Sequence, residues 1–127
     1  MSRFFWICFG GALGTGARYL LSGWILAFAG TSFPWGTLAV NVTGSFLLGV
    51  ITQIALTTRL LNPTLRLALS VGLLGGFTTY STFNYETIAY LRNRAWMYGT
   101  LNVAATVLLC LAAGFGGLAA ARWMIAR

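Results

Sequence analysis

Four long apolar segments run along the chain, separated by short joints that are polar or contain proline. Each segment is long enough for a helix that crosses a hydrocarbon core of about 30 Å, which takes roughly 20 residues. Helices are favoured over strands, because backbone groups in lipid must find their hydrogen-bond partners within the segment. The pattern predicts helices over residues 4–28, 35–57, 65–91 and 96–122.

The joints contain breakers that define the ends of these segments. Gly30 and Pro34 separate the first two segments, and the pair Asn62-Pro63 opens the third at its permissive first turn. Connections this short place neighbouring helices antiparallel. The N-terminal residues also resemble a signal peptide, but we interpret them as the first span. The sequence therefore predicts an all-α membrane protein with four transmembrane helices in one domain, residues 1–127.

Composition and charge agree with a membrane location. Hydrophobic residues make up 58% of the chain and charged residues only 7%, far from the averages of soluble domains. The net charge of +7 comes from arginines at segment ends, single or paired, which indicates membrane topology rather than nucleic-acid binding. Five arginines fall on one face. The other face has Arg92 and Arg94, with Arg18 as a third if its side chain extends there from the first span. This weak bias permits insertion in both orientations and pairing with an inverted copy.

The run GGFTTYSTFNYE, residues 75–86, interrupts the third apolar segment. Two glycines followed by a phenylalanine and two threonines are poor helix formers, so we expect a break in mid-span. A break leaves some carbonyls without helical partners. Such carbonyls are tolerated at membrane depth where they face protein, water or an ion, and a bound cation is one solution.

Beyond the expected break, Tyr80 and Phe83 project two rings on one helical face. Ring edges are electropositive, so they attract a small anion where a carboxylate would repel it. The other segments carry polar residues at Asn41 and, at a spacing of four, at Asn102, Thr106 and Cys110. A route of amides, hydroxyls and ring edges suits an anion. Taken singly, Asn41 and Thr106 could equally make hydrogen bonds between helices or to their own backbone.

Three stretches together resemble the Fluc or CrcB family of fluoride channels: GGALGTGARYLL, GTLAVNVTGSFLLG and GGFTTYSTFNYET. The likeness runs over all four predicted helices, with short matching loops. It implies a passive channel that exports fluoride across the bacterial inner membrane. It also implies an antiparallel, dual-topology homodimer with two pores and a structural sodium ion (Na+) between the subunits.

The resemblance assigns residues by position. The fluoride pathway would be formed by Asn41, Tyr80, Ser81, Phe83, Glu86, Asn102, Thr106 and Cys110. The main-chain carbonyls of Gly75 and Thr78 would hold the sodium ion, and Arg18 matches an arginine of the first span. Glu86, the only acidic residue, either makes a structural hydrogen bond or takes part directly. The family has phenylalanine where this chain has Tyr80, whose hydroxyl adds a donor and bulk.

Other functions remain open from the sequence alone. Small multidrug-resistance transporters are also four-span chains that insert both ways, but they rely on a glutamate in the first span, where this chain has Arg18 and no acid. A non-catalytic membrane assembly subunit would use the glycines for packing and the polar residues for interhelical hydrogen bonds. We expect no enzymatic activity, because no nucleophile–base pair or metal-ligand cluster is present.

Overall fold

A computed structural model describes all 127 residues. The chain forms helices joined by short non-helical segments, and it has no strands. In chain order they are α1 (Ser2–Ala29), α2 (Trp35–Thr57), α3 (Pro63–Leu67), a π-helical segment (Ala68–Leu74), α4 (Gly75–Phe77), α5 (Tyr80–Arg92) and α6 (Trp96–Ile125). Helices α1, α2 and α6 agree with the predicted segments to within a few residues at each end.

The third predicted segment is divided into two parts. Thr78 and Thr79 are extended, with φ/ψ of −82°/159° and −150°/111°, so the helix stops after α4 and restarts as α5. The predicted break therefore lies at Thr78 and Thr79, and the glycine pair and Phe77 before it are still helical. The π-helical turns before α4 were not predicted, and segments of this kind often occur at functional sites.

Glycines allow the helices to touch backbone to backbone. A Cβ atom added at Gly117 of α6 would overlap the carbonyl oxygen of Phe46 in α2, and one at Gly49 of α2 would overlap the backbone of α6. In the same way, a Cβ at Gly14 of α1 would overlap the carbonyl of Leu73 in the π-helical segment. Small residues are what brings helices together in lipid, where apolar surface supplies no net attraction between them.

The outer surface of this fold is apolar. Only 19 of the 127 residues are buried, and most large hydrophobic side chains of α1, α2 and α6 point outward. Helices α2 and α6 have both the length and the hydropathy to cross a membrane. Helix α1 has the length, with 28 residues, and the segment 63–92 is interrupted. The chain is an all-α membrane protein, and the count of four spans stays a prediction.

Candidate functional site

Asn41 on α2 holds the break between α4 and α5. Its Nδ2 donates to the carbonyl of Thr79 at 3.0 Å, and its Oδ1 accepts the amide of Thr79 at 2.8 Å. Both residues are buried. An extended residue at membrane depth cannot satisfy its backbone within a helix, so the side chain of Asn41 takes the place of the missing helical partners.

The break releases the two carbonyls that the family resemblance assigned to the sodium ion. In an unbroken helix, the Thr79 amide would bond to the carbonyl of Gly75, and the Thr82 amide to that of Thr78. Here the Thr79 amide donates to Asn41, and the Thr82 amide donates to the Thr79 hydroxyl at 3.2 Å. The carbonyls of Gly75 and Thr78 have thus lost their helical donors, and Gly75 is exposed.

An open cavity of about 540 Å³ lies beside the break, between α2, α5 and α6. We call it the aromatic cavity, because Tyr80 and Phe83 line it with ring centroids 5.6 Å apart and planes inclined by 55°. Phe83 is 8% exposed and Tyr80 is 78% exposed, so only Phe83 is enclosed within the chain. No charged residue lines the cavity, and its polar lining consists of Asn41, Ser45, Ser70, Thr78, Thr79, Thr106 and Cys110.

A second open cavity, of about 640 Å³, lies between α1, the α1–α2 joint and α5. We call it the Arg18 cavity, since Arg18 lines it together with Glu86. Glu86 Oε1 accepts a hydrogen bond of 2.6 Å from the hydroxyl of Thr37, and its Oε2 is buried without a hydrogen-bond partner. Thr79 lines both cavities, so the break lies between them.

Asn102 lies outside both cavities. It is 1% exposed, and its Nδ2 donates to the hydroxyl of Thr87 on α5 at 3.0 Å. That hydroxyl in turn donates to the carbonyl of Phe83 at 2.8 Å. Of the polar residues predicted on one face of α6, Thr106 and Cys110 therefore reach the aromatic cavity, and Asn102 is covered by α5.

The chain is similar to proteins of one known family over most of its length. A family model described as "CrcB-like protein, Camphor Resistance (CrcB)" matches residues 5–118. The chain belongs to the CrcB family. A relative from Sorangium cellulosum, named fluoride-specific ion channel FluC, is 58% identical over 126 residues, which cover 99% of each chain. A relative of the same name from Geobacter sulfurreducens is 54% identical over 112 residues, 88% of this chain and 90% of its own.

In this CrcB chain, the structure groups most of the residues that the sequence predicted for the site. The aromatic cavity is lined by Asn41, Tyr80, Phe83, Thr106 and Cys110, and also by Gly75 and Thr78. The Arg18 cavity contains Arg18 and Glu86. Ser81 lines neither cavity, and its hydroxyl lies 3.3 Å from that of Thr79. What each residue contributes to conduction stays a prediction.

Sequence reasoning missed two threonines of the candidate site, Thr37 in the Arg18 cavity and Thr79 at the break. Thr37, Asn41 and Ser45 recur at a spacing of four on α2, so the periodicity that singled out α6 could also have found Thr37. Thr79 caps α5, a role typical of threonine. Its bonds to Asn41 join residues 38 apart in the chain, so they cannot be read from local sequence.

Proposed function

We propose that the chain forms a fluoride-selective ion channel, through which fluoride crosses the membrane passively along its electrochemical gradient. The observation that carries the proposal is the aromatic cavity, an uncharged space lined by two rings, amides and hydroxyls. Membership of the CrcB family supports it, because relatives that match almost the whole chain are named fluoride-specific ion channels. A channel requires no catalytic group, so we do not regard the protein as an enzyme.

The aromatic cavity supplies ligands suited to a small anion. Fluoride is strongly hydrated, and selectivity for such an ion needs close substitute ligands. The electropositive edge of the Phe83 ring is one of them, and the hydroxyl of Thr106 is another. Asn41 is a third, because Nδ2 carries two N–H groups and only one is needed to hold Thr79.

The Arg18 cavity is suited to be the entrance of the route. A guanidinium in an open cavity raises the local concentration of anions, and the cavity leads to Thr79, which also lines the aromatic cavity. Glu86 would repel an anion if its charge faced the route. Its hydrogen bond to Thr37 ties one carboxylate oxygen to α2, which favours a structural role for Glu86.

We propose an antiparallel homodimer in the bacterial inner membrane, with four spans per chain in a single domain, as the working unit. One chain encloses the route only in part, because the aromatic cavity is open and Tyr80 points out of the protomer. The weak arginine bias permits both orientations. Cross-linking in membranes tests the arrangement, and capture of parallel dimers alone would contradict it.

The carbonyls of Gly75 and Thr78 fit a structural sodium ion. Oxygen ligands suit hard cations, and main-chain carbonyls of broken membrane helices bind Na+ in other transport proteins. These carbonyls have lost their helical donors, so they are free to bind a cation. Bound between two copies, the ion would supply positive charge that joins the broken segments. We therefore expect flux and dimer stability to fall when sodium is withdrawn.

Fluoride efflux from liposomes that contain only this protein tests the proposed function. We expect rapid fluoride efflux once an ionophore balances the charge, and chloride efflux close to that of empty liposomes. Empty liposomes and liposomes with unfolded protein measure the leak. A folded protein that releases no fluoride would contradict the channel, and equal efflux of chloride would contradict its selectivity.

A further inference from the structure

Helix α5 carries both rings of the aromatic cavity, yet it has few buried residues to hold it in place. Its sequence, YSTFNYETIAYLR, is the most polar of the long helices, and only Phe83 and Thr87 are buried along its length. These residues are four apart, so they lie on one face of the helix. The position of the Phe83 ring therefore depends on what holds this face against α6.

A chain of two hydrogen bonds holds that face. Asn102 Nδ2 donates to Thr87 Oγ1 at 3.0 Å, and Thr87 Oγ1 donates to the Phe83 carbonyl at 2.8 Å. Thr87 has a single hydroxyl hydrogen, which it gives to Phe83, so its oxygen can only accept from any further partner. Asn102, 1% exposed, is that donor. Sliding or rotating α5 would leave a buried amide unpaired, which is strongly disfavoured.

We propose that Asn102 is a positioning residue for Phe83. It fixes the rotation and height of α5 against α6, and thereby keeps the edge of the Phe83 ring in the aromatic cavity. Asn102 itself does not touch the ion. The inference rests on the proposed function, and it differs from the pathway role that the family resemblance assigns to Asn102.

Replacing Thr87 separates the two roles. Thr87→Val keeps the shape of the side chain and removes the hydroxyl that joins Asn102 to Phe83. If Asn102 positions Phe83, this change loosens α5 and lowers fluoride flux. If Asn102 instead lines the route, the change frees its amide for the ion, and flux stays at the parent value or rises.

The flux experiment compares Thr87→Val and Asn102→Leu with the parent in liposomes. Each should reduce fluoride flux by roughly tenfold, the effect expected from the loss of one buried hydrogen bond. The double variant should lose no more than the stronger single variant, since both changes break the same chain. Thr87→Ser retains the hydroxyl and should keep the flux of the parent.

Gln53→Leu is the matched control. Gln53 on α2 is also a buried amide that joins two helices, accepting from Nε of Arg122 on α6 at 3.2 Å. It does not line the aromatic cavity. Its replacement should lower the unfolding temperature as the Asn102 and Thr87 variants do, while the flux per folded protein stays unchanged.

A spectroscopic measurement tests the position of the Phe83 ring independently of the flux experiment. With 4-fluorophenylalanine incorporated at Phe83, the 19F chemical shift should change in Asn102→Leu and Thr87→Val and stay constant in Gln53→Leu. A parent protein that conducts no fluoride would contradict the proposed function, while this signal would still test positioning. A Thr87→Val variant with parental flux, or an unmoved 19F signal, would overturn the inference.

Discussion

Two regions of the molecule are stabilised by different interactions: the interface between α2 and α6, and the contacts that hold α5 in place. At the first, glycines bring backbones into direct contact, and Gly117 lies against the carbonyl of Phe46. At the second, side-chain hydrogen bonds connect α5 and the break before it to the neighbouring helices. These bonds are Asn41 to Thr79, Thr37 to Glu86, and Asn102 to Thr87.

This difference between the two regions implies that one mainly determines the stability of the fold and the other mainly determines fluoride flux. Backbone contacts leave no room for adjustment, so the α2–α6 interface acts as a rigid scaffold. Hydrogen bonds fix direction and register, but losing one leaves the remaining contacts in place. Changes at the scaffold should therefore remove folded protein, and changes around α5 should alter flux in a protein that still folds.

The largest effect is expected from Gly117→Val. The new side chain would meet the backbone carbonyl of Phe46 and the amide nitrogen of Val50, the latter 3.0 Å from an added Cβ. Neither atom can rotate away, so the helices must separate. We expect destabilisation of about 3 kcal/mol or more, seen as loss of folded protein in size-exclusion chromatography and thermal unfolding.

Gly16→Val in α1 is the control for this change. A Cβ at Gly16 has no neighbour within 4 Å, so the same substitution adds volume without a backbone clash. Folded protein and flux should remain near those of the parent. If Gly117→Val also folds and conducts normally, α2 and α6 are not a rigid scaffold.

The second prediction concerns Asn41→Asp. A carboxylate can still accept the Thr79 amide, but it cannot donate to the Thr79 carbonyl, and its charge repels an anion in the aromatic cavity. We expect fluoride flux to fall by about a hundredfold or more, the effect of a like charge a few ångströms away. Flux should recover at low pH, where the protonated carboxyl is neutral and can donate.

Asn62→Asp makes the same chemical change away from both cavities. Asn62 caps α3 by accepting the Leu65 amide at 2.8 Å, and aspartate is an equally good cap. This variant should conduct like the parent. Parental flux through Asn41→Asp at neutral pH would show that fluoride does not pass Asn41.

The third prediction is that Phe83→Ile lowers fluoride flux by about tenfold, because the electropositive ring edge is lost. Isoleucine is still a large apolar side chain, so the packing of α5 should be kept. The proposed dimer should persist, which chromatography of the same samples checks. Phe28→Ile, at a ring that is 93% exposed on α1, should change neither property. A dimeric Phe83→Ile variant with parental flux would show that the two rings serve only to pack helices together.

Local features of the chain were predictable because their causes are local. The apolar segments follow from composition, and the break falls at Thr78 and Thr79, which form helices poorly. The glycine pair, which was also expected to interrupt the helix, remains helical. The π-helical segment was not predictable, since it packs on glycines of α1, more than fifty residues earlier. Its geometry depends on tertiary contact rather than on its own residues.

At the candidate site, too, local spacing predicted some features, and contacts between distant residues determined the others. A spacing of four predicted that Asn102, Thr106 and Cys110 lie on one face of α6. It did not predict which neighbouring helix covers each residue. A spacing of three likewise placed Tyr80 and Phe83 together, yet one is 78% exposed and the other 8%. Only the packing of α2 and α6 around α5 distinguishes the residues in each set.

The smallest effect is expected from Tyr80→Phe, which should maintain fluoride flux or raise it a few-fold. The ring and its electropositive edge remain, and the change removes a hydroxyl that can hold fluoride too long or narrow its way. Tyr85→Phe is the matched control, since Tyr85 is also on α5, is 75% exposed and does not line the aromatic cavity. It should leave flux unchanged. A loss of flux in Tyr80→Phe alone would show that the Tyr80 hydroxyl serves as a ligand of the ion, so that α5 contributes a hydroxyl donor to the route as well as ring edges.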